Sequence, residues 1–503
     1  MRLSSLAAGF PHRQAGPPGD PEVRGVTHDS RRAGAGILFA AFPGKKLDGR
    51  AFVAEAVLSG APAALGPAPA PDGVEVPYLE VENPRLAAGL FAARLAGDPS
   101  GRLVMAGVTG TSGKTTTTLL VDEVLGGAHP KRGLFGTLVY RWGEGSAGTL
   151  DASRTTPEAT ELQPMLAALV EWGGTAATLE CSSHALWLER LAGCAFDVAV
   201  FLNLTRDHLD DHGTMEAYFE EKAKLFSLLK PGGRAVVNAD DAWGRRLLER
   251  LPKERTLSFS LSAGAGADVT GEVRPSAEGI SLRVVRRETG DVVEIASPLV
   301  GAPNAENLLA AASAALALGL PPGEIGARLG AVSIVPGRLE RVPNELGLLV
   351  LVDYAHKPAA LEGVLKSTRS LATSRGGALH VVFGCGGDRD RGKRPQMGRI
   401  AAELADRVIV TSDNPRSEEP SAIAEDVAAG ARSAGREALV VLDRREAIVR
   451  ALGSAAPGDV VVVAGKGHET YQVTAGRNEP FDDRLVAREA LAELERARGE
   501  AKK

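Results

Sequence analysis

Cysteine is scarce in this chain: Cys181, Cys194 and Cys385 are the only three in 503 residues. An odd set without paired spacing excludes a disulfide framework and a structural zinc site, and it fits a reducing compartment. Long apolar runs are missing as well. No stretch approaches the ~18 residues of a spanning helix. Met1 to Phe10 carries one arginine and is broken by Ser4 and Ser5, which makes a poor signal peptide. Nor is there an excess of charge. Lys plus Arg number 58 and Asp plus Glu 63, a net charge of −5. The overall basic character of a nucleic-acid coat or an anionic-membrane binder is therefore absent. A cytoplasmic protein that binds neither nucleic acid nor membrane is expected.

What is present is ordinary for a globular chain, with 44% hydrophobic and 24% charged residues, so wholesale disorder is excluded. At roughly 150 residues per domain the length suggests about three domains. Glycine is high, 59 residues, and much of it falls in loops such as Gly384 to Gly387.

The pattern along the chain divides at two places. Residues 1–98 mix short apolar stretches, such as Ile37 to Phe42, with Pro/Gly-rich turns, and close on a helical pattern from Pro84 to Ala96. Gly97 to Gly101 reads as a linker. Residues 99–335 open on an apolar strand, Leu103 to Val108. Ala176 to Leu179, Val198 to Leu202 and Ala235 to Val237 read as further buried parallel strands, being short, apolar and not alternating. Glu158 to Trp172 and Glu216 to Leu229 read as helices between them. The stretch 258–298 is rich in β-branched residues and turns and reads as an antiparallel insertion. An Ala/Leu helix, Asn304 to Leu318, follows. Residues 336–503 restart the alternation, with strands at Leu348 to Val352, Leu379 to Phe383, Val408 to Thr411, Leu439 to Leu442 and Val460 to Ala464, and a charged terminal helix from Arg484. The expected fold is α/β in three domains: a central parallel-sheet ATPase domain of P-loop type follows the first domain, and a Rossmann-like domain ends the chain.

Between the first central strand and the next helix lie Gly110, Thr111, Ser112, Gly113, Lys114, Thr115 and Thr116. Backbone N–H groups of such a loop and the helix N-terminus cradle phosphate oxygens. Lys114 would sit on the β/γ-phosphates and the Thr115 hydroxyl on Mg²⁺. Val108 stands where the strict pattern has its first glycine, so the loop is a Gly-Thr-x-Gly-Lys-Thr variant. The loop does not say how ATP is used; a motor, a switch, a kinase and a ligase all remain open.

Glu180, in Leu179-Glu-Cys-Ser-Ser-His184, ends a strand and points at the ligand crevice of a parallel sheet. It could complete a Mg²⁺ site with Thr115, or equally be a capping or surface glutamate. His208, in Asn203-Leu-Thr-Arg-Asp-His-Leu-Asp210, is either a second metal ligand or a hydrogen-bonded loop histidine, the commoner fate of a lone histidine. From spacing alone, Glu220, Glu221, Lys222 and Lys224 read as a solvated helix face.

Together these segments resemble the Mur ligases, in the right order over nearly the whole chain. The resemblance implies that the loop 110–116 binds ATP, that Glu180 and His208 are Mg²⁺ ligands, and that Lys222, in Tyr218-Phe-Glu-Glu-Lys, is carbamylated by CO₂. A carbamate turns an ammonium into a carboxylate-like group that can bridge to Mg²⁺, which overrides the solvated-face reading. Lys114, Lys222 and His208 are then the catalytic set. Asn304 and Asn307 match an Asn-x-x-Asn near the nucleotide; Arg338, Asp353 and His356 match residues of the third domain that close onto ATP. Ser30 (in Asp-Ser-Arg), Thr155, Thr156, Ser182 and Arg190 match contacts to a UDP-muramoyl substrate. Arg154, Leu188 and Pro303 depart from residues common in the family, which touches local substrate contacts rather than the reaction.

The resemblance also implies the second substrate. Asp413-Asn414-Pro415-Arg416 looks like the mark of members that use meso-diaminopimelate, with Arg389, Gly465 and Glu469 as further contacts. A guanidinium can grip the distal carboxylate that distinguishes diaminopimelate from lysine, and with lysine it would be left unpaired. The implied reaction is the ATP-dependent addition of meso-diaminopimelate to UDP-N-acetylmuramoyl-L-alanyl-D-glutamate, through an acyl phosphate, by a cytoplasmic monomer. Folylpolyglutamate synthetases share the ATP chemistry, but the Asp-Asn-Pro-Arg and Glu-x-Ser-Ser-His segments argue against one. A P-loop switch or motor would not need an amino-acid pocket in a third domain, and a pure binding module would not need two nucleotide-type alternating domains.

Overall fold

A computed structural model describes the chain except for residues 45, 46, 263, 265, 276–278, 502 and 503. It forms two compact units. The first comprises 1–260, 264–268 and 313–321; the second comprises 261–263, 269–312 and 322–503. This cut differs from the three-part sequence division: it joins the amino-terminal and nucleotide-loop regions, and groups most of the antiparallel stretch with the carboxy-terminal region.

The first unit holds two sheets. The smaller runs in the order Arg13–Ala15, Tyr78–Glu80, Ala64–Gly66, Ile37–Ala40, Gly25–Thr27. The helix Pro84–Leu95 covers it, with Ala87, Ala88 and Phe91 in the same apolar cluster as Leu38, Leu65 and Leu79. The strand expected to reach Phe42 stops at Ala40. The expected linker 97–101 is not free chain. Pro99–Arg102 is a 3₁₀ turn in which buried Ser100 donates to the Gly193 carbonyl at 3.1 Å and accepts from Ala195 N at 3.2 Å, stitching the two parts of the unit together.

In the larger sheet the first unit contributes, in order, Thr256–Ser260, Leu229–Asn238, Phe196–Phe201, Val104–Thr109, Ala176–Glu180, Arg132–Phe135, Val139–Arg141 and Thr149–Asp151. The first six are parallel and the last two antiparallel. The strand at 256–260 corrects the sequence reading: 258–260 is parallel core strand, and the antiparallel part is Val269–Pro275, Ile280–Arg286 and Val292–Ser297. Burial alternates from Ile280 to Val284, as in a strand with one covered face, but the short Thr256–Ser260 run carries no signal of its direction, which comes from its neighbour.

The second unit carries a sheet ordered Glu340–Val342, Leu349–Asp353, Val460–Ala464, Leu379–Phe383, Arg407–Val410, Leu439–Val440. All pairs are parallel except the first. Its central strands, Leu349–Asp353, Val460–Ala464 and Leu379–Phe383, are buried along their length and largely apolar because both faces are covered. Leu349, Leu351, Val460 and Val462 enter one apolar cluster, while Val350, Val352, Val461 and Val463 enter another on the opposite face. In both units the loops that follow the carboxyl ends of the parallel strands carry the chemically loaded segments, the edge where ligands bind in such sheets.

Candidate functional site

The nucleotide loop of the first unit is built by the chain itself. Val104–Thr109 ends, and the helix Lys114–Leu125 begins at Gly113, whose φ of +84° suits glycine alone among common residues. Asn203, at the end of the neighbouring strand, braces the loop: its Oδ1 accepts Ser112 N at 2.9 Å and its backbone oxygen accepts Thr111 N at 3.0 Å. Lys114 Nζ folds back on the carbonyls of Gly110, at 2.9 Å, and Thr111, at 3.0 Å.

Glu180 is neither a cap nor a surface residue; it is 1% exposed. Its Oε2 accepts the hydroxyls of Thr115 and Thr137, each at 3.1 Å, and its Oε1 accepts Thr137 N at 2.8 Å. Gly136 leaves room for this carboxylate: a Cβ there would overlap Oε1 and come within 3.1 Å of Cγ and Cδ. Thr115 and Glu180 make a hard, all-oxygen donor set, which fits Mg²⁺.

Lys222 is also 1% exposed, so the solvated-face reading fails. The helix Met215–Ser227 turns it inward, over the Tyr218 ring at 4.8 Å, and Nζ donates to the Gly110 carbonyl at 2.8 Å. Lys114 Nζ donates to that same oxygen. Two side-chain amines thus converge on one carbonyl, a crowding of positive charge that conversion of one to a carbamate would relieve. An unmodified ammonium cannot ligate a metal.

His208 belongs to a cluster with His184 and Asp211. It has φ +52°, and its Nε2 lies 3.3 Å from Asp207 Oδ2. Its ring packs edge-on against His184 at 4.7 Å, and it forms with His184 and Asp211 a group whose ligating atoms lie within 4.8 Å of one another. Glu180 is outside that group. His184 Nε2 is 2.9 Å from Asp211 Oδ2.

Of the residues expected to hold the sugar nucleotide, Arg190 bonds Glu158, which the sequence analysis passed over as a helix start. Glu158 accepts from Arg154 at 2.8 Å, from Arg190 at 2.9 Å and from Arg85 at 3.2 Å. Arg190 also donates to the Thr156 carbonyl at 3.3 Å. The Thr156 hydroxyl donates to the Glu180 backbone oxygen at 2.6 Å and lies 3.4 Å from Ser182 Oγ; Thr155 is bonded by the Thr137 hydroxyl at 3.3 Å. Thr156 thus links Ser182 and Arg190 to the Glu180 backbone, and Thr137 links Thr155 to the Glu180 carboxylate. Three guanidiniums on one carboxylate leave local positive charge. Ser30 begins a short 3₁₀ turn, and its neighbour Asp29 is occupied by Arg31.

The remaining expected nucleotide residues lie in the second unit. Asn304 and Asn307 are buried in the first turns of the helix Ala302–Ala317; Asn304 donates to the Val300 carbonyl at 2.9 Å and Asn307 to Asn304 Oδ1 at 3.4 Å. Asp353 ends its strand accepting Leu339 N and Ala355 N, both at 2.8 Å, and burial raises its pKa. The Arg338 guanidinium lies 4.7 Å above the Tyr354 ring. His356 packs against the same ring, and desolvation with nearby Lys357 and Lys393 pulls it down to about 3, so it is neutral at pH 7.

The expected amino-acid contacts converge at the same edge. Asn414 Nδ2 donates to Glu469 Oε2 at 3.0 Å, and Asn414 Oδ1 accepts Val473 N at 2.9 Å and Lys466 Nζ at 2.9 Å. Burial, then the Asp413 charge, raise the Glu469 pKa. Arg416 has φ +54°; its backbone is clamped by Val473 and Ala475, and its guanidinium donates to the Gly387 carbonyl at 2.7 Å. Gly465 has φ +121°, and a Cβ there would fall 2.5 Å from Asp413 Oδ2. Pro415 is buried behind Arg416, whereas Arg389 is exposed at the rim. Lys466, fully buried and also donating to the Tyr471 carbonyl at 2.7 Å, was missed although it lies between the expected contacts Gly465 and Glu469.

Comparison with known proteins covers the whole chain. Residues 22–95 match a model described as Mur ligase family, catalytic domain; 108–315 match Mur ligase middle domain; and 337–467 match Mur ligase, glutamate ligase domain. Proteins named UDP-N-acetylmuramoyl-L-alanyl-D-glutamate–2,6-diaminopimelate ligase are similar. That of Synechococcus elongatus is 45% identical over 99% of this chain and all of its own length. That of Gloeobacter violaceus is 47% identical over 95% of this chain and 96% of its own. A solved structure bearing the same name superposes with a TM-score of 0.69 at 34% identity, covering 98% of this chain and 99% of that one.

Proposed function

The chain belongs to the Mur ligase family, and from that premise we propose that it is the ATP-dependent ligase that joins meso-2,6-diaminopimelate to UDP-N-acetylmuramoyl-L-alanyl-D-glutamate in peptidoglycan precursor synthesis. The observation that carries the choice of amine is the convergence of Arg416, Asn414 and Glu469 at one sheet edge. Their opposite charges suit a substrate with both ammonium and carboxylate groups at its distal end. We assign it to the cytoplasm, acting as a monomer; among the described residues no helix is long and apolar enough to cross a membrane.

Two anions must meet, the substrate's D-Glu γ-carboxylate and the γ-phosphate of ATP. The loop amides 110–113 and Lys114 hold the phosphates and screen the repulsion. Thr115 and Glu180 would hold Mg²⁺, with His208 and carbamylated Lys222 holding a second ion; the metal supplies charge neutralisation on the phosphates. The carbamate forms when the neutral Lys222 amine adds to CO₂ and loses a proton. Thr155, Thr156, Ser182 and Arg190 orient the muramoyl dipeptide, with Ser30 toward the UDP end. A carboxylate oxygen attacks the γ-phosphorus, ADP leaves, and an acyl phosphate results. The diaminopimelate amine, once deprotonated, attacks the acyl carbon, and the tetrahedral intermediate expels phosphate to leave the amide. Asn304, Asn307, Arg338, Asp353 and His356 are assigned to ATP on the family resemblance, and the acyl phosphate must be kept from water to last until the amine attacks. Glu469 and Asn414 bind the amino-acid end of diaminopimelate, with Arg389 at the rim and Arg416 on a carboxylate.

The test is phosphate release from ATP with UDP-N-acetylmuramoyl-L-alanyl-D-glutamate, comparing meso-diaminopimelate with L-lysine. Release with diaminopimelate alone is expected. Release with lysine alone overturns the amine assignment but keeps a ligase; release independent of any amine overturns the ligase.

A further inference from the structure

Behind the amino-acid loops lies an ion pair that the proposed reaction does not use. Arg444 and Asp483 are both 0% exposed and meet through two bonds of 2.7 Å, Nε to Oδ1 and Nη2 to Oδ2. Burying two charges is costly, and an apolar pair of similar volume is often as stable or more so. Stability alone therefore does not account for this pair. Its remaining donors show another use. Arg444 Nη1 donates to the Ser412 carbonyl at 3.1 Å, and Nη2 donates to the Ala464 carbonyl at 3.0 Å. Ser412 is the residue before Asp413, and Ala464 is the residue before Gly465. One rigid planar guanidinium thus spans the roots of the two loops that carry Asp413 to Arg416 and Gly465 to Glu469. Spacing there is tight, since a Cβ on Gly465 would fall 2.5 Å from Asp413 Oδ2 and 3.7 Å from Arg444 Nη2. Asp483, at the start of the terminal helix Asp483–Ala501, fixes the guanidinium plane.

We propose that Arg444, oriented by Asp483, is a positioning residue that sets the separation of these two loops and thereby the affinity for the diamino acid. The inference rests on the amino-acid site proposed above. An apolar pair would fill the space without holding either carbonyl, and a lysine would keep the charge without reaching both carbonyls in one plane.

The test compares wild type, Arg444→Lys, and the double variant Arg444→Met/Asp483→Leu as full-length proteins. Melting temperature is read together with KM for the amine, for ATP and for the UDP-muramoyl dipeptide, using whichever amine wild type turns over. The double variant is expected to melt at or above wild type. Its amine KM should rise about tenfold or more, the loss of a charged hydrogen bond, while the other two KM values stay within about twofold. Arg444→Lys should fall between. An unchanged amine KM in either folded variant overturns the proposal, as does a parallel rise in all three constants. If the double variant does not fold, Arg444→Lys decides alone by the same criterion. A wild type that needs no amine for phosphate release overturns the ligase reading and this inference together, whereas a normal wild type beside indifferent variants overturns the inference alone.

Discussion

The nucleotide loop and the amino-acid loops occupy equivalent places, at the carboxyl ends of parallel strands, yet they are built on opposite plans. Residues 110–115 join one strand directly to one helix, and the backbone of that single segment forms the cradle, with Asn203, Glu180 and Lys222 bracing it from outside. The proposed amino-acid site is drawn from 384–391, 413–416 and 465–469, and buried cations tie these segments together, Lys466 on the Asn414 amide and Arg444 on the Ser412 and Ala464 carbonyls. A phosphate presents the same oxygens to any protein and can be met by local backbone geometry. A diamino acid must be told from its neighbours by a few charges at fixed separations, and one chain segment cannot supply them.

Lys222 tests the first plan hardest, because it brings a buried charge to the loop from a distant helix. Lys222→Ala should lower kcat by about three orders of magnitude, in the range of losing a preorganised electrostatic group, with melting little changed. Added formate or acetate should restore part of the rate if a carbamate is what is missing. Full activity in the unrescued variant, assayed by phosphate release, would break the contrast by showing that the loop suffices alone.

Arg416→Ala addresses the second plan. KM for diaminopimelate should rise about a hundredfold, ~3 kcal/mol, since a carboxylate loses its charged partner. KM for ATP should not move. Steady-state kinetics with each substrate varied in turn would show equal losses if the substitution only disturbed the fold.

Gly136→Ala sharpens the comparison from the nucleotide side. The added methyl meets the Glu180 carboxylate. A loss of about 1–3 kcal/mol in stability is expected from overpacking. The Mg²⁺ concentration for half-maximal rate should also increase several-fold, and a Mg²⁺ titration with no change would remove Glu180 from the metal site.

The smallest effect concerns pH. Burial and Asp413 raise the Glu469 pKa above the ordinary carboxylate value. If the ionised form binds the substrate ammonium, kcat/KM for diaminopimelate falls as pH drops through that raised value, earlier than for a free carboxylate. Glu469→Gln should flatten that limb. The sign for stability is the reverse: the neutral carboxyl's contribution is full below the unfolded-state pKa and is lost as pH rises through the folded one. Melting curves should therefore show the variant gaining on wild type with rising pH. A pH profile identical in both proteins would detach Glu469 from the amine.

Legibility followed the same divide. Alternating strands and helices, with non-alternating apolar runs such as Val460–Ala464, announced doubly covered parallel sheets, because burial on both faces leaves a trace in composition. The direction of Thr256–Ser260 and the buried turn Pro99–Arg102 left none, since each depends on a partner far along the chain. Among the proposed site residues, Gly110 to Thr115 form a pattern legible from neighbours in sequence, and the structure places them between a strand and a helix. Glu180 and Lys222 were not: from the residues alone one was undecided and the other looked solvated, and only the family resemblance spoke for them.

The sequence by itself determined the strand, glycine-rich loop and helix of 104–125, the α/β class and the family, because these reside in contiguous order and in hydrophobic pattern. Tertiary structure decided what spacing cannot encode. It turned Lys222 inward onto the Gly110 carbonyl, gathered Arg85, Arg154 and Arg190 on Glu158, and set one guanidinium across Ser412 and Ala464. The physical reason is that a side chain's charge is written in its residue type, whereas its desolvation and its partners exist only once distant strands have packed.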